Sequence, residues 1–164
     1  MTKNELAELM QTERSSLINY ASYRLGNVDE AKDALQDVFL KIYTKLSDDT
    51  GSEVKNWRNY IFRSLSNLCA SRLAEGGRRR LIPLDENIDI ADHSTEIDEE
   101  EIKRITQLMK EIPEEQAEVI RLRIYGSNSF ADVAEILSIP LPTVKSRFLY
   151  GLEKIRRAMK QTKH

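Results

Sequence analysis

The chain has 164 residues, and its 25 Lys and Arg against 27 Asp and Glu give a formal net charge of −2. Its 40% hydrophobic and 32% charged residues are typical of a globular protein and exclude a collagen-like or disordered chain. A single cysteine, Cys69, excludes an internal disulfide and a multi-cysteine metal site. Charges recur throughout, so we expect neither a signal peptide nor a membrane span and predict a soluble, cytoplasmic protein.

The charges are unevenly distributed along the chain. Residues 1–82 carry a net charge of +2, residues 83–101 carry −9, and residues 102–164 carry +5. The middle stretch has no cation and few large apolar residues, so self-repulsion should keep it extended and solvated. We interpret residues 83–101 as an acidic linker between two helical domains. An acidic surface loop inside one domain is the alternative.

Three helices are predicted in the N-terminal block. Apolar residues at spacings of three, four and seven predict an amphipathic helix over residues 5–25, which Gly26 ends. A similar pattern over 28–46 predicts a second helix of about five turns. A third helix begins near Trp57 and ends at the Gly76-Gly77 pair. Together they predict a small helical bundle.

The C-terminal block begins with an amphipathic stretch. Residues 102–125 have a helical apolar pattern that Pro113 interrupts, and we interpret this proline as a first-turn residue of a new helix. Ala117, Ile120 and Ile124 continue the apolar pattern after it. Ser129 and the residue three positions later, Asp132, then resemble a capping box that opens a helix of about ten residues.

A turn and a basic helix follow. The segment SIPLP at 138–142 cannot continue a helix because its prolines lack amide donors, so a last helix is expected from near Thr143. Helical spacing assigns its packed face to Val144, Phe148, Leu152 and Ile155. A short helix, a tight turn and a displayed basic helix predict a helix-turn-helix that reads DNA in the major groove. The alternative is an unrelated helical hairpin with a basic surface.

Two N-terminal segments have side chains that the packing of a helical bundle does not require. In DALQDVFLKIY (33–43), Leu40 lies beside carboxylates on the face away from the buried stripe, which suggests a docking surface. An ordinary solvated face with one exposed Leu is the alternative. WRNYIFR (57–63) interleaves aromatic side chains with arginines, a mixture that stacks unpaired bases and neutralises phosphates. Aromatic residues at helical spacing also form cores, and we expect Trp57 in the core.

No catalytic constellation is evident in the sequence. The six glycines form no phosphate-binding loop, and no His or Cys residues have metal-ligand spacing. His93 lies in the acidic stretch and His164 at the terminus. We therefore expect neither enzymatic activity nor a metal or other cofactor.

The two blocks together resemble bacterial sigma factors of the extracytoplasmic-function type, with regions 2 and 4 of the sigma-70 family. DEAKDALQDVFLKIY (29–43) is similar to the region 2 helix that docks on the clamp coiled coil of RNA polymerase. NWRNYIFRSLSNLCASRL (56–73) is similar to the segment that captures a flipped base of the melted promoter. IPEEQAEVIRLRIYG (112–126) and SFADVAEILSIPLPTVKSRF (129–148) resemble region 4, and TVKSR (143–147) is the most specific string. The implied fold is all-α, with two small helical domains at 1–82 and 102–164.

The resemblance implies roles for three sets of residues. Polymerase contacts are implied for Gln36, Asp37, Phe39 and Leu40, and Asp33 lies on the same face. Capture of melted promoter DNA is implied for Arg63 and Asn67, to which the aromatic and basic segment adds Arg58 and Tyr60. Recognition of the duplex upstream element is implied for Lys145, Ser146, Arg147, Leu149 and Tyr150, with Thr143 at the start of the helix.

The chain also departs from the family pattern. Ser66 stands before Asn67 where the family usually has Arg, and Ser71 replaces a common Asp. These departures suggest an unusual preference in the melted element. In the predicted turn, Ser138 and Pro142 each replace a frequent Gly.

The prediction from sequence is a transcription initiation factor that binds core RNA polymerase and directs it to specific promoters. A free-standing helix-turn-helix regulator that binds duplex DNA without polymerase is the main alternative, and a helical adaptor is a third. The expected partners are core polymerase and promoter DNA. Inhibitory anti-sigma partners are common in the family, but no residue here specifies one.

Overall fold

The computed structural model describes residues 1–47, 53–76 and 98–161. These ranges contain seven α-helices, one π-helix and no strand. The N-terminal half, residues 1–76, contains α1 (Lys3–Leu25), α2 (Val28–Ser47) and α3 (Trp57–Ala74). The C-terminal half, residues 98–161, contains α4 (Glu99–Met109), α5 (Glu114–Ile120), the π-helix (Arg121–Tyr125), α6 (Phe130–Leu137) and α7 (Leu141–Gln161). Most of the predicted linker, with His93, lies outside the described residues, as does His164.

The three N-terminal helices form where the sequence predicts them. Thr2 caps α1 by accepting a hydrogen bond from the Glu5 amide, and Gly26 ends it with a left-handed φ of 77°. Asn56 caps α3 in the same way as Thr2 caps α1. The predicted apolar stripe of α2 faces inward, and its buried members are Ala31, Leu35, Val38 and Ile42.

Helix α4 begins inside the stretch that the sequence assigns to the linker. The Asp98 carboxylate accepts hydrogen bonds from the amides of Glu100 and Glu101, and three glutamates occupy the first turn. An acidic cap and acidic first-turn residues both favour a helix start because they face the positive end of the helix dipole. The last residues of the acidic stretch are therefore helical.

The π-helix changes the register of the segment after Pro113. This proline directly precedes α5 with an extended ψ of 139°, so it is a cap residue rather than a first-turn residue. The wider π turn places Leu122 in the core at 0% exposure and turns Ile124 outward at 47% exposure. The expectation that Ile124 continues the apolar face is wrong because a strict 3.6-residue period does not hold here.

The helix-turn-helix forms with small shifts from its predicted boundaries. Ser129 Oγ accepts a hydrogen bond from the Asp132 amide at 3.0 Å, as a capping box predicts, and opens α6. Ser138 ends α6 in the left-handed conformation with φ 55°. Helix α7 begins at Leu141 rather than near Thr143, because a proline in the first turn needs no amide partner.

The two halves pack against each other and share one apolar core. α1 contacts α4 and the π-helix, and α3 contacts α6. The shared core includes Val119, Leu122 and Val133 together with the buried side chains of the first three helices. The rings of Tyr23 and Tyr125 stack across the boundary with centroids 3.6 Å apart. Over the described ranges, none of the helices has the length and apolar character needed to cross a membrane.

Candidate functional site

The face of α2 predicted to dock on a partner is an apolar and acidic surface. Leu40 is 48% exposed, whereas the preceding residue, Phe39, is half-buried with its ring 5.8 Å from that of Tyr43. Asp33, Gln36 and Asp37 share this face because residues three and four positions apart are neighbours on a helix. The structure therefore brings the predicted polymerase-binding residues together.

The two aspartates of this face are held by one arginine from α3. Arg72 Nη1 lies 3.0 Å from Asp33 Oδ2, and Arg72 Nη2 donates to Asp37 Oδ2. Partial burial and the nearby charge of Asp33 raise the pKa of Asp37, while Arg72 opposes the shift. Arg72 thus fixes both carboxylates and ties α2 to α3, a role that sequence analysis missed.

The residues predicted to capture melted DNA are divided between two environments. Arg63 and Asn67 lie exposed one turn apart on α3. Tyr60 is half-buried, and its hydroxyl accepts a hydrogen bond from Lys45 at 2.9 Å. Arg58 pairs with Glu13 of α1 at 3.1 Å and lies 3.9 Å from Asp132 Oδ2 of α6. The structure therefore does not bring all four together on one open face.

The aromatic residue at the start of α3 is part of the packing. Trp57 is half-buried, packs against the shared core and makes an edge contact with Tyr60, with ring centroids 5.6 Å apart. The expectation that Trp57 belongs to the core is therefore met only in part, because its ring lies at the margin.

The displayed face of α7 is open. Leu149 and Tyr150 are 66% and 65% exposed, and Lys145 and Ser146 are also exposed. Thr143 and Arg147 are partly exposed. On the opposite face Val144 is fully buried, while Phe148, Leu152 and Ile155 are half-buried against the rest of the C-terminal half. The predicted division into a packed and a displayed face is therefore present.

A buried ionic cluster lies between the two halves. We name it the Glu118 cluster, and its members are Glu118, Arg24, Arg121, Tyr20 and Ser66. The Tyr20 hydroxyl and Ser66 Oγ each donate to Glu118 Oε2 at 2.6 Å, and Arg24 Nη1 donates to the same oxygen. Arg121 Nε donates to Glu118 Oε1 at 3.2 Å. The side-chain carboxylate of Glu118, in the C-terminal half, is therefore held by three side chains of the N-terminal half.

Burial and the neighbouring charges set the protonation states of Glu118 and Tyr20. Burial alone would raise the pKa of Glu118, but the positive charges of Arg121 and Arg24, with hydrogen bonds from Ser66 and Tyr20, bring it below its usual value. Burial, followed by the negative charge of Glu118, raises the pKa of Tyr20 well above its usual value. At neutral pH the cluster therefore contains a carboxylate that receives hydrogen bonds from a protonated phenol.

Sequence analysis missed the Glu118 cluster. The only local signal is the spacing of Glu118 and Arg121, and such i,i+3 pairs usually lie on the surface. Ser66, noted in the sequence only as a departure from the family pattern, has its hydroxyl on this carboxylate. The cluster depends on contacts between distant parts of the chain, which residue spacing does not report.

The buried cysteine carries no reactive thiol. Burial raises the pKa of Cys69 to about 12, so the thiol stays protonated at neutral pH. Within the described ranges, His, Cys, Asp and Glu side chains form no group of three or more that could hold a metal ion. The side chains available for binding lie on the faces of α2, α3 and α7 described above.

The comparisons with known proteins identify the C-terminal half directly. The family "Sigma-70, region 4" matches residues 108–157, which contain α5, the π-helix, α6 and most of α7.

Similar proteins extend over most of the chain. The ECF RNA polymerase sigma factor SigW of Bacillus subtilis is 23% identical over 96% of this chain and 90% of its own length. The ECF RNA polymerase sigma-E factor of Haemophilus influenzae is 26% identical over 77% of this chain and 73% of its own length. The RNA polymerase sigma-H factor of Pseudomonas aeruginosa is 25% identical over 81% of this chain and 75% of its own length.

Solved structures share the fold over almost the whole chain. CnrH in complex with the cytosolic domain of CnrY superposes with a TM-score of 0.70 and 19% identity, covering 98% of this chain and 90% of CnrH. The sigma factor RpoE from Bartonella quintana, in complex with the anti-sigma factor NepR, superposes with a TM-score of 0.65 and 22% identity, covering 96% of each chain. The all-α prediction is confirmed. Residues 108–157 thus match region 4 of the sigma-70 family, and over 96%, 77% and 81% of its length the chain is similar to three sigma factors, two of them of the extracytoplasmic-function type.

Proposed function

We propose that this chain binds core RNA polymerase and directs it to specific promoters, with a different helix face for polymerase, for duplex DNA and for melted DNA. The single observation that carries the proposal is the region 4 match, which coincides with an open displayed face on α7. Catalysis of RNA synthesis then belongs to the polymerase, and this chain supplies binding groups.

The displayed face of α7 suits the major groove. The first residues of a recognition helix reach base edges, while Lys and Arg around them neutralise phosphates. Lys145 and Arg147 supply the cations, and Ser146 offers a hydroxyl to a base edge. The exposed Leu149 and Tyr150 offer apolar contact, for example to a thymine methyl group. We assign recognition of the upstream promoter element to this face.

The α2 face suits a protein partner. Its exposed Leu40 would lose contact with water on docking, and the carboxylates of Asp33 and Asp37 would meet cations of the partner. Gln36 and the half-buried Phe39 complete the face. We assign the contact with polymerase to these residues, with Arg72 as the residue that positions the aspartates.

The exposed side of α3 suits a single strand. The Asn67 amide can both donate and accept, so it can bind the Watson–Crick edge of an unpaired base. Arg63, one turn earlier, can neutralise a phosphate. We assign capture of the melted strand to these two residues, and to Arg58 and Tyr60 once their present partners are released.

An anti-sigma factor is a further proposed partner. Both structural neighbours described above were solved with bound proteins, one of them named as an anti-sigma factor. Their overall fold matches this chain over nearly its full length. We propose that a partner of this class holds the chain between uses.

The direct test adds the purified chain to bacterial core polymerase and maps RNA start sites on genomic DNA. Defined start sites that depend on the chain are expected. A chain that fails to associate with polymerase, or that binds duplex DNA tightly without it, would favour a free-standing regulator instead.

Variants separate the assigned surfaces. Leu40→Asp should weaken polymerase binding by at least about tenfold, because a charge would enter an apolar contact. Leu73→Asp is the matched control, since Leu73 is 45% exposed and has no assigned role. Arg147→Ala should lower transcription from the mapped promoters and leave polymerase binding unchanged. Asn67→Ala should reduce promoter melting in permanganate footprinting.

A further inference from the structure

The displayed face of α7 contains an acidic residue that holds two arginines. Arg156 Nη2 donates to Glu153 Oε2 at 2.7 Å, and Arg157 Nε lies 3.3 Å from Glu153 Oε1. The hydrogen bond from Arg156, together with the positive charges of both arginines, lowers the pKa of Glu153. The carboxylate is therefore ionised at neutral pH and offsets one of the two positive charges beside it.

Glu153 is the only acidic residue in the sequence of α7. The segment Leu141–Gln161 contains six Lys and Arg residues and no other Asp or Glu. At 3.6 residues per turn, Ser146, Leu149 and Tyr150 lie within about 60° of Glu153 around the helix axis. The carboxylate therefore lies on the face that we assigned to duplex DNA, where it opposes the approach of phosphates.

The two ion pairs of Glu153 are not needed to hold α7 in place. The packing of Val144, Phe148 and Leu152 against the rest of the C-terminal half already fixes the helix. Arg156 and Arg157 are exposed, and exposed ion pairs contribute little to stability because water and salt screen them. A phosphate can therefore replace the carboxylate as the partner of either arginine.

The length of α7 places these arginines at the DNA backbone rather than at the bases. A helix rises by about 15 Å over the ten residues from Ser146 to Arg156, whereas the major groove is only about 12 Å wide. When Ser146 faces the base edges, Arg156 and Arg157 lie near the phosphates at the edge of the groove. Phosphate contacts of this kind supply most of the affinity for non-specific DNA and do not read the sequence.

We propose that Glu153 restrains Arg156 and Arg157 and thereby keeps the sequence-independent affinity of the chain for duplex DNA low. Its carboxylate competes with phosphates for the two guanidiniums and repels the phosphates that approach them. Binding to a promoter then depends more on the base contacts of α7 and on attachment to polymerase. The inference rests on the proposed function and adds to its duplex face a residue that positions the arginines.

The salt dependence of DNA binding tests this role in the full-length chain. The unmodified chain and Glu153→Gln are titrated against a labelled duplex of non-promoter sequence at about 50 to 200 mM salt, and fluorescence anisotropy gives the Kd. Glutamine keeps the shape of the side chain and removes its charge. Glu115→Gln, at an exposed position on α5, is the matched control because it changes the net charge equally.

We expect Glu153→Gln to steepen the slope of log affinity against log salt by about 0.9, as one more phosphate is neutralised. The gain in affinity over the unmodified chain is then about 3.5-fold larger at 50 mM than at 200 mM salt. The slope for Glu115→Gln should not change. An unchanged slope in Glu153→Gln, or the same steepening in Glu115→Gln, would overturn the inference.

Two further variants separate the charge of Glu153 from its contribution to the helix. Glu153→Asp keeps the carboxylate and should retain the slope of the unmodified chain. Replacing Arg156 and Arg157 with glutamine in the Glu153→Gln chain should abolish the gain in affinity. A gain that persists without the two arginines would overturn the inference, because Glu153 would then act on something else.

Start-site mapping with core polymerase distinguishes failure of this inference from failure of the proposed function. Defined start sites together with an unchanged salt slope in Glu153→Gln would overturn the inference while the proposed function stands. If the unmodified chain gives no defined start sites, the proposed function fails. The claim that Glu153 makes duplex binding depend on polymerase then fails with it.

Discussion

Replacing Glu118 with alanine should destabilise the packed chain strongly. The substitution leaves the buried guanidiniums of Arg24 and Arg121 without their central carboxylate, and it removes the acceptor for Tyr20 and Ser66. Removing one partner of a buried ion pair costs about 3–5 kcal/mol. The hydroxyls of Tyr20 and Ser66 also lose their charge-assisted hydrogen bonds to this carboxylate.

A second glutamate moderates this effect. Glu114 accepts a hydrogen bond from Arg121 and lies 3.6 Å from Arg24, and both contacts remain in the variant. We therefore expect a loss of about 4 kcal/mol in the free energy of unfolding at pH 7, near the middle of the range for a broken buried pair. Urea denaturation followed by circular dichroism measures it. Glu115→Ala, an exposed neighbour, is the control and should change stability by less than about 0.5 kcal/mol.

The effect of Glu118 should depend on pH in one direction. Its pKa in the folded chain lies below the unfolded value of 4.5, so its contribution is fully present above pH 4.5. The contribution is lost as the pH falls through the folded pKa. The stability difference between the unmodified chain and Glu118→Ala should therefore shrink on acidification. A difference below about 1 kcal/mol at pH 7, or one that grows in acid, would refute the assignment of Glu118 as a charged interface residue.

Three further predictions concern backbone strain and burial. Ser138→Gly should raise stability by about 0.5–1 kcal/mol in the same assay, because Ser138 has a left-handed φ of 55°; a loss of stability would contradict the assigned strain. Gly26→Ala should lower stability by at least about 1 kcal/mol, since Gly26 has φ 77° and an added Cβ would lie 3.3 Å from Thr106 Cγ2; an unchanged midpoint would argue against this turn. Cys69 should resist iodoacetamide at pH 8 until the chain is denatured, since its pKa is about 12 and the thiol is buried; rapid labelling of the folded chain, followed by mass spectrometry, would disprove this.

The helices of the N-terminal half were predictable from the sequence. Their apolar periods are regular, and strong local signals such as Gly26 and the cap of α3 mark their ends. The exposure of Leu40 was predicted for the same reason, because a residue off the apolar stripe of a regular helix faces water. Local geometry determines these features, so local sequence reports them.

Prediction from sequence failed where packing between distant segments determines the local structure or the partners of a side chain. The π-helix breaks the period and turns Ile124 outward, a change that no cap or glycine announces. Arg58 was assigned to DNA from its neighbours in sequence, while in the fold its closest charged partners lie on α1 and α6. The Glu118 cluster was missed because buried polar residues have the same sequence pattern as surface ones.

The contacts of Arg72 with Asp33 and Asp37 affect the entropy cost and the specificity of binding at the α2 face. Because folding has already fixed the rotamers of Asp33 and Asp37, a partner meets carboxylates in a defined geometry and little side-chain entropy is lost when it binds. A preorganised acidic pair of this kind discriminates between partners by the spacing of the cations on the partner's surface. Closely similar polymerases could then be told apart by the positions of their basic side chains rather than by overall charge.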